Sequence, residues 1–223
     1  MITAIFYKEW IKSRWYLLLA TLFMIGITGY LMLRINRAIA LQGIEHLWVV
    51  MVQKDAIFID LLQFVPLLTG MLLGFVQFFP EMQRKCLKLT LHLPYSQKKM
   101  ILSMLLFGVL ALLVCFAAGL LVMTAYLFQH FTTELSLRIL LSSPPWFLAG
   151  ISGYLLLSWI CLEPTWKRRI INLVISALII RVYFLAPGAE AYNGFLPWLT
   201  LYTLLVASFS WISVVRFKAG KQD

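Results

Sequence analysis

Long apolar runs separated by short charged stretches dominate the chain, and their lengths set the expected elements. A helix needs about 20 mostly apolar residues to cross the hydrocarbon of a bilayer. Candidate spans lie at Tyr16 to Leu33, Phe58 to Phe79, Met100 to Phe128, Pro145 to Leu162, Ile170 to Leu185 and Phe195 to Val215. The fifth is the shortest; Arg181 sits inside it and Pro187 and Gly188 close it. The runs are too continuous for the alternating strands of a membrane barrel, and backbone groups in lipid need partners within their own segment. The expected fold is all-α: a polytopic membrane protein in one transmembrane domain over residues 1–223, with six transmembrane helices.

Ahead of the first span, residues 1–14 have a second pattern. On a helix, Ile2, Phe6, Tyr7, Trp10 and Ile11 form one broad face and Lys8, Glu9 and Lys12 the opposite one, with Ile5 as the exception. This is an interfacial helix pattern, with Phe6, Trp10 and Trp15 suited to the headgroup zone. The simpler alternative is a positively charged anchor flanking the first span. Ala38-Ile39-Ala40 imitates a signal-peptide cleavage site, but Arg34 and Arg37 intervene and the apolar run is long, so the first span is expected to be retained.

Composition agrees with the pattern: 62% of residues are hydrophobic, 13% are charged, and the mean hydropathy is +0.88, well outside the range of a soluble domain. The formal net charge of +10 then concerns orientation. Lys8, Lys12 and Arg14 precede the first span; Arg84, Lys85, Lys88, Lys98 and Lys99 lie in the second loop; Lys167, Arg168 and Arg169 lie in the fourth; Arg216, Lys218 and Lys221 follow the last span. The other face holds only Arg34, Arg37, Lys54 and Arg138. The positive-inside rule therefore places both termini in the cytoplasm. The basic excess fits anionic headgroups and a cytosolic partner, and no nucleic-acid partner is expected.

Within the second span, Asp60, Gln63, Gly70, Gly74 and Gln77 fall within an arc of roughly 100° on a helix, and Glu81 continues the line. Such a stripe is costly against lipid, so it either lines a translocation path or packs on another helix through the Gly70-x-x-x-Gly74 spacing. Arg181 either pairs with Asp60, both being expected toward the outer side, or snorkels to the outer interface.

Catalytic constellations are weak. Gly150-Ile151-Ser152-Gly153 matches the Gly-x-Ser-Gly string of rhomboid intramembrane proteases, but the last histidine is His130 and no base follows on the sixth span. Ser96-x-x-Lys99 lies in an exposed basic loop. His46, His92 and His130 are isolated, and Cys86, Cys115 and Cys161 are scattered, so neither a metal site nor a disulfide framework is expected. Gly220-Lys221-Gln222 lacks the remainder of a phosphate-binding loop. The chain is not expected to be an enzyme or to carry a cofactor.

Between the second and third spans, residues 80–99 open with Pro80-Glu81 and close with Leu93-Pro94-Tyr95-Ser96. Pro80 suits a first helical position, Glu81 complements a helix N-terminus and Pro94 ends the segment. Leu87, Leu89, Leu91 and Leu93 nevertheless alternate with polar residues at strand period; a helix is favoured because a lone strand has no sheet partner here. With the N-terminal amphipathic helix and six spans, this segment resembles the type-2 ATP-binding-cassette (ABC) exporter permeases.

The resemblance implies that residues 1–14 are an elbow helix and that Glu81 to His92 form a coupling helix docking into an ATPase subunit. Glu81, Arg84, Lys85, Lys88, Lys98 and Lys99 are the docking candidates it implies. It also implies a multi-pass protein of the bacterial cytoplasmic membrane, a second permease subunit as homodimer or heterodimer partner, and ATP and Mg bound by the partner ATPase. Ala186 to Gly194 is too short for the family's usual re-entrant helices. An ion-coupled secondary transporter is the alternative, although no internal repeat supports it, as is a non-transporting membrane scaffold or assembly factor.

Overall fold

The computed structural model describes residues 2–53, 59–83, 96–186, 188 and 190–218. Seven α-helices account for most of them: α1 (Ile2–Gln53), α2 (Val65–Gln83), α3 (Gln97–His130), α4 (Thr133–Leu141), α5 (Pro144–Leu162), α6 (Trp166–Arg181) and α7 (Leu196–Lys218). Single turns of 3-10 helix precede α2 (Asp60–Gln63), follow α6 (Val182–Phe184) and precede α7 (Asn193–Phe195). No strand occurs among the described residues.

Five helical stretches are long and apolar enough to cross a membrane: Ile2–Leu41, Asp60–Gln83, Gln97–His130, Thr133–Leu162 and Asn193–Phe217. Each also turns large apolar side chains outward, among them Leu19, Leu68, Leu102, Leu121 and Leu204. A soluble monomer rarely leaves such wide apolar surfaces uncovered. This is the architecture of a multi-pass membrane protein. The expected fifth span is α6, whose 16 residues rise about 24 Å, less than the ~30 Å of hydrocarbon. Lys167, Arg168 and Arg169 crowd its start and Arg181 ends it.

Two expectations at the start of the fold change. Residues 2–14 form no separate helix; α1 runs on through Trp15, and its one non-helical residue is Gly43 at φ +79°, a conformation open to glycine because it lacks Cβ. The apolar face stays outward as expected, but the charged face does not meet lipid. Glu9 and Ser13 are buried, whereas Tyr7, Trp10 and Ile11 face out. The reason is a carboxylate waiting across the interface: Glu81 of α2 meets Lys8 and Lys12 there, so the charged face turns inward and the apolar face remains for lipid.

Helix α5 sits at the centre, packed most extensively on α2 and then on α7, while α1 packs on α3. The α2–α5 seam is close because both helices present glycines. A Cβ on Gly70 would overlap the carbonyl oxygen of Gly150, and one on Gly150 would stand 2.5 Å from the carbonyl oxygen of Pro66. A Cβ on Gly153 would stand 2.6 Å from the Leu67 side chain. Small residues at helical spacing let two backbones approach in this way. The Gly150-Ile151-Ser152-Gly153 string is thus part of a packing surface.

Candidate functional site

The charged residues gather at one end of the bundle, where α1 begins and α2, α5 and α7 finish. At its heart Glu81, 3% exposed, accepts from Lys8 at 2.8 Å and from Lys12 at 2.9 Å. Lys12 also meets Glu9 at 3.2 Å, and Lys8 stands 3.9 Å from Glu9, which is fully buried. Two carboxylates and two ammonium groups thus close a compact cluster. Glu81 carries most of it, because both lysines converge on its Oε1. Neither Glu9 oxygen completes a hydrogen bond.

Glu81 is therefore directed into the protein, with its carboxylate occupied by the two lysines. Its place on α2 also differs from expectation. Pro80 lies inside α2, which continues to Gln83, so Glu81 belongs to the last turn of a membrane helix and not to the first turn of a separate one. Proline lacks only its own N–H and tolerates a position near a helix end where neighbours secure the backbone.

Of the other docking candidates, Lys98 and Lys99 are exposed in the first turn of α3. Ser96 caps that turn by accepting from the Lys99 backbone N–H, the ordinary role of serine at a helix start. Lys98 lies 5.4 Å over the Trp211 ring, tying the start of α3 to the end of α7. Arg84, Lys85 and Lys88, and the choice between helix and strand for 84–95, lie outside the described residues.

The stripe on α2 divides in two. Gly70, Gly74 and Gln77 are buried. Gln77 donates through Nε2 to the Met104 carbonyl at 2.9 Å and accepts through Oε1 from the Tyr154 hydroxyl at 2.7 Å. Tyr154 fits because Gly108 of α3 and Gly74 leave space for its ring. This half of the stripe packs α2 against α3 and α5. Asp60 and Gln63 lie at the opposite end of α2 beside a cavity of about 150 Å³ lined also by Trp146, Glu190 and Tyr192. There Asp60 accepts from Arg34 at 2.8 Å. The partner of Asp60 is Arg34, and Arg181 is exposed at the end of α6.

Comparison with known proteins identifies no relative: no family model, no curated protein and no solved structure matches the chain.

A third buried carboxylate at the basic end escaped sequence reasoning. Glu163, 1% exposed, pairs with Arg216 at 3.0 Å and accepts from Ser213 at 2.6 Å and Thr165 at 3.1 Å. The Arg169 side chain donates to its backbone carbonyl at 2.7 Å. Above it Ser158 and Ser210 share a hydrogen bond of 2.8 Å, and Ser152, Tyr183 and Thr203 form a chain toward the other end. A polar column therefore joins α5 to α7. Its signal in the sequence was a single acidic residue among basic ones in a short loop, with serines recurring on α7.

Ser152 spends its hydroxyl on Tyr183, and no histidine is part of that chain. Among the described residues no group of three histidine, cysteine or carboxylate side chains is placed to hold a metal. The interface candidates Phe6, Trp10 and Trp15 border a groove between α1 and α3 of about 730 Å³. Trp10 and Trp15 are exposed, while Phe6 packs edge-on against Phe107 at 5.6 Å.

Proposed function

We propose that the chain is the membrane-spanning permease subunit of an ABC transporter, an exporter, driven by a separate ATPase subunit at the segment between α2 and α3. In this reading α6 is the fifth of six spans, shortened by its charged ends, and the basic end is cytoplasmic together with both termini. A second permease copy or homologue completes the translocation unit, and ATP and Mg stay with the ATPase. The chain itself performs no covalent chemistry.

The observation that carries the reading is the cluster of Glu81 with Lys8 and Lys12. It fastens the start of α1 to the last turn of α2, where the chain enters residues 84–95. A push on that segment is delivered into two helices together. From α2 it passes through the glycine seam to the central α5, and from there through the polar column to α7. Packed helices transmit displacement as rigid elements with two arrangements. Docking falls to the exposed Lys98 and Lys99 with Arg84, Lys85 and Lys88, and Glu81 transmits.

Two variants separate these roles. Lys98→Glu with Lys99→Glu reverses the charge presented to the partner and is expected to reduce ATPase association in a pull-down. Glu81→Gln is expected to leave association in place and to lower transport-coupled ATP hydrolysis. ATPase association that survives reversal of both lysines refutes the docking assignment. A chain that is active without any ATPase points to an ion-coupled carrier, and one with neither activity nor ATPase points to a scaffold.

A further inference from the structure

The groove between α1 and α3 has a composition that selects one kind of occupant. Its walls are apolar: Leu17, Leu18 and Leu22 from α1 face Leu110, Ala111 and Val114 from α3. The Thr21 hydroxyl within it is already bonded to the Leu17 carbonyl at 2.7 Å. The charged group at its rim is Arg14, exposed and 5.7 Å from the Trp15 ring. Arg14 takes part in none of the ion pairs among the described residues.

We propose that this groove holds one anionic phospholipid, with its phosphate on Arg14 and an acyl chain laid between α1 and α3. Depth supports the assignment. Arg14 lies two residues beyond Lys12, which is paired with Glu81 at the charged end, and Trp10 and Trp15 flank it as aromatic side chains do at headgroup level. From Arg14 to Leu22 the helix rises about 12 Å, close to the ~15 Å of one hydrocarbon leaflet. The cavity of about 730 Å³ is within the range of about 300–1,000 Å³ of small-molecule sites.

Charge argues against a second copy of the chain as the occupant. At this end of the bundle the described carboxylates are Glu9, Glu81 and Glu163, all buried and paired with cations of their own. Among the described residues a second copy brings arginine and lysine to Arg14 and no unpaired carboxylate to neutralise it. A lipid phosphate neutralises it while its tail covers the leucines.

The test is native mass spectrometry of the full-length chain in mild detergent, titrated with phosphatidylglycerol or phosphatidylcholine of identical acyl chains. One phosphatidylglycerol per chain is expected, retained about fivefold better than phosphatidylcholine, the factor expected for one basic residue at an anionic headgroup. Arg14→Gln is expected to erase the preference, Arg14→Lys to keep most of it, and Arg168→Gln, an exposed cation outside the groove, to leave it unchanged. Ala111→Phe, which fills the groove, is expected to remove retention of both lipids. Equal retention of the two lipids, or a preference that persists in Arg14→Gln, means ordinary boundary lipid and overturns the proposal. So does a dimer that cross-links efficiently through Val114→Cys.

Discussion

Adding a single methyl group to Gly70 tests the α2–α5 seam, because its consequence follows from backbone atoms that cannot move aside. The new Cβ would overlap the Gly150 carbonyl oxygen and stand 2.8 Å from its carbonyl carbon. No rotamer change relieves a clash with backbone, so the two helices must separate along their most extensive contact. Overpacking costs typically about 1–3 kcal/mol, and a backbone clash belongs at the upper end, about 3 kcal/mol. Replacing glycine in a helix returns about 1 kcal/mol. The net loss is about 2 kcal/mol, a fall in Tm of about 4–8 °C for a chain of this size. Gly29→Ala is the control, since a Cβ there meets nothing within 4 Å; it is expected to raise Tm by about 2–4 °C. Gly74→Ala falls between, with the Tyr154 carbonyl oxygen at 3.1 Å. Thermal unfolding of the purified variants in one detergent, followed by tryptophan fluorescence, reads the order directly. Gly70→Ala matching or exceeding Gly29→Ala in Tm refutes the seam as described.

Four other substitutions have expected outcomes. Glu81→Gln leaves Lys8 and Lys12 without the carboxylate on which they converge. The usual ~3–5 kcal/mol for breaking a buried pair falls to about 2–3 kcal/mol because both lysines retain partial access to solvent; Glu9→Gln, which also removes repulsion between two carboxylates, is expected to cost less than half as much, and chemical unfolding of the two variants measures the difference. Tyr154→Phe deprives the buried Gln77 Oε1 of its donor and is expected to cost about 1–3 kcal/mol in the same assay. Asp60→Asn weakens an exposed pair with Arg34, so its effect on stability is expected to stay below about 1 kcal/mol; a larger loss means that the pair is shielded from water in the membrane.

Five of the six expected membrane helices were legible because the length of an apolar run answers to a single constraint, the thickness of hydrocarbon. Gly70 and Gly74 were legible as a stripe for a similar reason: helical periodicity assigns residues to a face without knowledge of the fold. Their partner was not, because Gly150 and Gly153 stand far away in sequence and their string also resembles a protease motif. The N-terminal segment failed differently. Its amphipathic pattern gave the outward apolar face, but a pattern does not name the partner of the charged face, Glu81, which stands some seventy positions away. Asp60 found Arg34 rather than Arg181 because α1 extends past the apolar core and delivers its arginine to the start of α2. Glu163 was hidden by being counted as one acidic residue in a basic loop, although Arg216 and Ser213 return to it from the end of the chain. Pro80 read as a helix start and proved to be interior to α2, which carries Glu81 on the same helix as the glycine seam.

These observations describe a membrane protein whose carboxylates are turned inward at one end, joining helices that are packed closely elsewhere. The assembly in native membranes provides the most direct test of the account's central claim. The tagged chain is to be purified in mild detergent and the nucleotide-hydrolysing polypeptides that accompany it quantified. The account predicts an ATPase subunit in equimolar amount, lost when Lys98 and Lys99 are both changed to glutamate. Recovery of the folded chain in active form with no such ATPase would contradict it.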